Sequence, residues 1–129
     1  MGIKELAAEV KGAQVFLGAI NLEIRNKALG NILVEIKNRK DEIIEANLAD
    51  MTKAREEQVS APLLKRLKFD EIKVNEVCGG IESLINLPDP VGKTILAREL
   101  DKDLELFQVS CPIGVIGMIF ESRPDALVQ

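Results

Sequence analysis

The chain has 129 residues, of which 47% are hydrophobic and 29% charged, with a net charge of −4; this balance excludes a disordered tail and fits one globular domain by size. Lys and Arg are interleaved with Asp and Glu along the whole length, so no basic stripe is offered to nucleic acid. The longest apolar run, Val115 to Phe120, is too short to cross a bilayer, and Glu5 and Glu9 stand where a signal peptide would need apolar residues.

There is no His, and the two cysteines, Cys78 and Cys111, have no CxxC spacing. That excludes Ser-His-Asp or Cys-His machinery within these residues, argues against a disulfide framework and leaves too few ligands for a zinc site. A reducing, cytoplasmic compartment is the expectation, with no metal, nucleic acid or membrane as partner.

In chain order, Ile3, Leu6, Ala7, Val10, Ala13, Leu17 and Ile20 recur at helical spacing and predict a first amphipathic helix, weakened by Gly12 and Gly18 at about 1 kcal/mol each. Ile24, Ala28, Leu29, Ile32, Leu33 and Ile36 predict a second. Asp41 is placed to cap a third helix carrying Ile43, Ile44 and Leu48, and Asp50 to cap another running toward Glu57. Ser60 precedes Pro62 as the expected cap of a short helical turn at Leu63 to Leu67. Asp70 opens a last helix, with Ile72, Val77, Ile81, Leu84 and Ile85 expected on one face, and Pro88-Asp89-Pro90 ends it.

After Gly92 the period changes. Lys93 to Leu100 and Leu104 to Cys111, separated by Asp101-Lys102-Asp103, predict a β-hairpin with one wet face. Val115 to Phe120 is apolar on both faces, as in the central strand of a parallel sheet covered by helices. Such a strand without parallel partners leaves buried backbone groups unpaired, each at a cost of about 1–3 kcal/mol. The expected class is therefore an α/β fold of which this chain holds an incomplete part.

Two glycine motifs fail on inspection. Gly92-Lys93-Thr94 ends like a phosphate-binding loop, but Leu87 stands where the first glycine belongs and no strand precedes it; a turn into the hairpin is expected instead. Pro112-Ile113-Gly114-Val115-Ile116-Gly117 has proline in place of the first glycine of a dinucleotide fingerprint, so Gly117 is expected to permit close packing on the strand. Cys78 and Cys111 are expected to pack in the core rather than act as nucleophiles. Glu121-Ser122-Arg123-Pro124 is the most informative local feature. A carboxylate, a hydroxyl and a guanidinium just past a strand end suit a polar, anionic ligand.

The stretch Val109 to Pro124, with Phe120-Glu121-Ser122-Arg123-Pro124 at its end, closely resembles the signature of the γ-glutamyl phosphate reductase family, within the aldehyde dehydrogenase superfamily. Glu45-Ala46-Asn47 with Asp50, Ala54-Arg55-Glu56, Leu63-Leu64-Lys65-Arg66-Leu67 and Asp89-Pro90-Val91-Gly92 agree with that family in order, so the resemblance runs over essentially the whole chain.

The resemblance implies an aldehyde-dehydrogenase-like fold. Residues 1–92 would be the helical amino-terminal part of the cofactor-binding domain, 93–111 an oligomerisation hairpin that makes a homo-oligomer, and 112–129 the first strand and turn of the cofactor-binding sheet. It implies reduction of glutamyl phosphate to glutamate semialdehyde with NADPH in proline synthesis, either by a single enzyme or by the reductase half of a bifunctional pyrroline-5-carboxylate synthase. Carried over residue by residue, Glu121, Ser122 and Pro124 would line the cofactor, and Arg123 with Ser122 would bind the substrate anion. Asp125 departs from the asparagine more often found in bacterial reductases and receives no role. The resemblance places the nucleophilic cysteine outside residues 1–129, so this chain alone is expected to be inactive. The alternative from a different class is a non-catalytic helical module that dimerises through its hairpin.

Overall fold

The computed structural model describes residues 2–128. Five helices precede one hairpin: α1 (Ile3–Ala19), α2 (Leu22–Asn38), α3 (Lys40–Glu56), α4 (Ala61–Leu67), α5 (Glu71–Ile85), β1 (Thr94–Asp101) and β2 (Leu104–Val109), with a 3-10 turn at Pro124–Leu127. Contacts divide the described residues into two compact units: residues 2–22 with 88–117, and residues 23–87 with 118–128.

The second unit holds the core. Phe69, Val74, Val77, Cys78 and Ile81 are buried, and Leu29, Leu33 and Ile36 of α2, Ile43 and Ile44 of α3, and Ile85 pack against them. The buried residues of α5 follow the spacing i, i+3, i+4, i+7 from Val74. The expected face is therefore corrected. Ile72 and Leu84 are 67% and 51% exposed, because at about 100° per residue Ile72 falls on the face opposite the stripe of Val74, Val77, Cys78 and Ile81, and Leu84 at its edge.

The third and fourth predicted helices are one. No Gly or Pro interrupts Lys40–Glu56, so Asp50 stays in the helix interior and Asp41 lies in its first turn, where a carboxylate favours the amino-terminal end of the dipole. Arg39 occupies the cap position in place of Asp41. The helix ends with Gln58 in the left-handed region (φ 56°), Gln58 N–H donating to the Arg55 carbonyl and Val59 N–H to the Ala54 carbonyl, each at 3.0 Å. At the start of α4, Ser60 takes the cap position without a side-chain bond; its carbonyl accepts from Leu63 and Leu64.

The link from α4 to α5 is held by Asn47, a buried polar side chain on α3. Its Nδ2 donates to the Leu67 carbonyl at 2.9 Å, and its Oδ1 accepts from Phe69 N–H at 2.6 Å. Both backbone groups lie where a helix has just ended and have no ladder partner. Asp70 follows at once as the expected cap of α5, its Oδ1 accepting from Lys73 N–H at 3.2 Å. Exposed ion pairs Lys37–Glu82 (2.7 Å) and Lys40–Glu71 (2.8 Å) link α2 and α3 to α5.

The first unit contains α1 and the hairpin. The helix α1 forms as predicted, with Ile20 at its carboxyl cap rather than within it, but none of its residues is buried; Ile3 and Phe16 are 89% and 77% exposed. β1 and β2 pair antiparallel, with Ala97 opposite Phe107 and Arg98 opposite Leu106. Lys102 and Asp103 make the turn, Asp103 in the left-handed region (φ 63°). Gly92 also takes a positive φ of 71°, the conformation that turns the chain into β1 at Lys93-Thr94. Every position of both strands is exposed, which corrects the expectation of a single wet face. Residues 112–120 form no ladder, because a strand needs a neighbour to take its bonds and the sheet consists of β1 and β2 alone among the described residues. Gly117 correspondingly has open space around its Cα, not the close neighbour expected of it, and Cys111 is exposed rather than packed.

Replacing Asn47 with Ala removes two hydrogen bonds and strands the Phe69 N–H and Leu67 carbonyl. Denaturant unfolding is expected to show a loss of about 2–4 kcal/mol, whereas the exposed Thr52→Ala stays within about 0.5 kcal/mol. A loss below about 1 kcal/mol for Asn47→Ala would refute the clamp.

Candidate functional site

Residues 118–128 belong to the same unit as α2–α5. Ser122 sits in the left-handed region with φ 53°, a conformation that a non-glycine residue holds at a cost and that clusters at ligand sites. Arg123 then caps a short 3-10 turn begun by Pro124; Ala126 N–H donates to the Arg123 carbonyl at 3.0 Å, and Val128 N–H to the Asp125 carbonyl at 3.1 Å. Val128 packs against the buried cluster around α5, which ties the turn to the helices.

Beside this turn lies an open cleft of about 590 Å³. Its lining includes Lys65, Arg66, Lys68, Lys73, Arg123 and a single carboxylate, Asp125. Lys65 and Arg66 come from α4, Lys68 from the link after it and Lys73 from the first turn of α5. Lys68 Nζ lies 2.5 Å from Asp70, and Lys73 Nζ lies 2.7 Å from Glu76. Arg123 Nε stands 3.9 Å from Asp125, a loose pairing, and keeps a half-exposed side chain. Among the described residues, Lys65 and Arg66 have no carboxylate partner.

The charges tune one another. The hydrogen bond from Lys68 holds the Asp70 carboxyl below its ordinary value, aided by the backbone N–H of Lys73. The hydrogen bond to Glu76 raises Lys73 above the usual lysine value, and Asp125 contributes in the same direction. Such a site attracts anions, and a planar guanidinium offers two-pronged binding to phosphate or carboxylate.

Of the four residues singled out in the turn, only Arg123 lines the cleft. Glu121 is exposed, while Ser122 and Pro124 are half-buried in the turn itself. Asp125, given no role from the sequence, both lines the cleft and faces Arg123. Lys65, Arg66, Lys68 and Lys73 were also missed as site residues. Their available signal was four cations within nine positions of an acidic chain. Cys78 is buried in the core, as expected. Among the described residues, no group of three or more His, Cys, Asp or Glu could hold a metal ion, and no helix is long and apolar enough to cross a membrane.

No known family profile matches the chain. It is 60% identical over all 129 residues to the γ-glutamyl phosphate reductase of Acetivibrio thermocellus and 54% identical to that of Pelotomaculum thermopropionicum, covering 30% of each. The crystal structure of γ-glutamyl phosphate reductase from Saccharomyces cerevisiae superposes with a TM-score of 0.91 at 38% identity, over 96% of this chain and 32% of that one. The chain matches the amino-terminal part of γ-glutamyl phosphate reductases. The Thermotoga maritima reductase agrees, with a TM-score of 0.88 at 37% identity over 96% of this chain and 30% of that one. The chain thus spans about a third of the length of the reductases it matches, and its helices and hairpin are an incomplete part of their α/β fold.

The lowered Asp70 value has a definite sign. Because the folded carboxyl prefers its charged form, its stabilisation is complete above the ordinary value of 3.8 and fades as pH falls through the lower folded value. Asp70→Asn keeps the cap but loses the charge. Its melting temperature is expected to lie below that of the parent at pH 7, with the gap closing near pH 2; a gap independent of pH would contradict the pairing with Lys68.

Proposed function

We propose that this chain is part of a cytoplasmic NADPH-dependent reductase that converts L-glutamyl 5-phosphate to L-glutamate 5-semialdehyde and phosphate in proline biosynthesis. The observation that carries this reading is Arg123. It lies in the Phe-Glu-Ser-Arg-Pro turn and lines a cleft of five cations, in a chain 60% identical over its whole length to a protein of that name.

In this reading residues 1–92 are the helical part of the cofactor-binding domain, 93–111 join copies into a homo-oligomer, and 112–129 begin the cofactor sheet. Residues 112–120, unpaired and apolar, are suited to join such a sheet. Arg123 binds the substrate anion and steadies charge that gathers on the acyl oxygen when the carbonyl is attacked. Ser122, held in its left-handed conformation next to Arg123, is assigned to the same anion.

The same turn is assigned to a phosphorylated nicotinamide cofactor. Glu121, Ser122 and Pro124 would line that cofactor, which when bound supplies the hydride. The acyl group needs a thiolate to displace phosphate. Cys78 is buried in the apolar core and Cys111 has no His in the chain to activate it, so neither is assigned that task and this chain alone is expected to give no turnover.

The test is made on the full-length protein containing this segment, in the reverse direction with glutamate semialdehyde, phosphate and NADP. Arg123→Ala is expected to lower kcat/KM by about a hundredfold, with Arg123→Lys recovering part of the loss. A folded full-length protein without this turnover would refute the activity; Arg123→Ala within twofold of the parent would refute the role of Arg123.

A further inference from the structure

We propose that the corner between α4 and α5 is a phosphate-binding subsite in which Lys65 and Arg66 supply the free positive charge. The inference rests on the reading above for its ligand: the phosphoryl group of the acyl phosphate, which leaves as inorganic phosphate.

Three observations converge on it. The whole chain is acidic, at −4, yet five cations and one carboxylate share this cleft. Like charges gathered at one place repel one another, and an anion seated among them relieves that repulsion. The cations also differ in their engagement. Lys68 and Lys73 already lie against Asp70 and Glu76, and Arg123 loosely against Asp125, whereas Lys65 and Arg66 have no carboxylate partner among the described residues. These last two therefore keep their full charge for a ligand. Finally, about 590 Å³ exceeds what a phosphate alone needs and falls in the range of small-molecule sites, leaving room for the carbon chain that carries it.

A phosphate monoester bears close to two negative charges at neutral pH, so paired cations beside Arg123 favour it over a monoanionic carboxylate. The 2′-phosphate of NADPH has the same chemistry, and the experiment separates the two.

The full-length protein is titrated calorimetrically with inorganic phosphate, and its reverse reaction is followed with varied phosphate, semialdehyde, NADP and NAD. For Lys65→Gln/Arg66→Gln, the Kd and the KM for phosphate are expected to rise about ten- to hundredfold, with the KM for semialdehyde and for NADP within about twofold. In the parent, the KM for phosphate is expected to climb as salt is raised from 50 to about 500 mM. The charge-conserving Lys65→Arg/Arg66→Lys is expected to stay within about threefold, which separates lost charge from lost fold.

A phosphate Kd unchanged in the Gln variant would overturn the subsite. A rise in the KM for NADP with that for NAD unmoved would overturn it too, by giving the cations to the cofactor's 2′-phosphate. Phosphate binding that depends on Lys65 and Arg66 in a folded protein with no reductase turnover would support the subsite while removing the proposed activity.

Discussion

One buried amide organises the helical unit. Asn47 reaches from α3 to the break between α4 and α5 and satisfies both a carbonyl and an N–H that the two helices cannot satisfy themselves. With that link held, Phe69 enters the core and Asp70 stands where it caps α5. The fixed link also sets α4 relative to the first turn of α5, and hence Lys65, Arg66 and Lys68 relative to Lys73. A buried polar group must be paired or it destabilises; here the pairing also specifies geometry.

Charge is distributed unevenly over the helical unit. Among the described residues, the exposed pairs Lys37–Glu82 and Lys40–Glu71 bridge helices while Arg39–Glu42 and Lys53–Glu57 are local, and such pairs add little by themselves. The cleft beside Arg123 differs in kind, because its cations outnumber its carboxylates. An acidic protein that collects positive charge at one cleft has concentrated its attraction for anions there, beside a turn whose serine is held in an uncommon backbone conformation.

The unit formed by α1 and the hairpin has a different character. Its helix and both strands carry Leu, Ile, Val and Phe, yet these side chains remain exposed, as does Ile119 in the unpaired segment. Local hydrogen bonds account for the presence of the elements: the α1 ladder is internal and β1 has β2 beside it. Burial is a separate matter, since apolar surface gains nothing until another surface covers it. The reductases that the chain matches are about three times its length.

Much of this protein was legible in the residues themselves. Helix stripes, the Asp70 cap, the break at Pro88-Asp89-Pro90 and the hairpin all follow from interactions between residues a few positions apart, and the Phe-Glu-Ser-Arg-Pro turn marked Arg123. The two capping misplacements arose where local signals compete. Asp41 and Asp50 are both good caps in isolation, but an uninterrupted helical run from Lys40 to Glu56 left one in the first turn and the other in the interior. Only the tertiary structure decided which side of α5 is buried, what Asn47 bonds to, and that Lys65 and Arg66 share a cleft with Arg123. Those facts depend on groups some twenty to sixty positions apart, and no periodicity encodes a meeting that is made by packing.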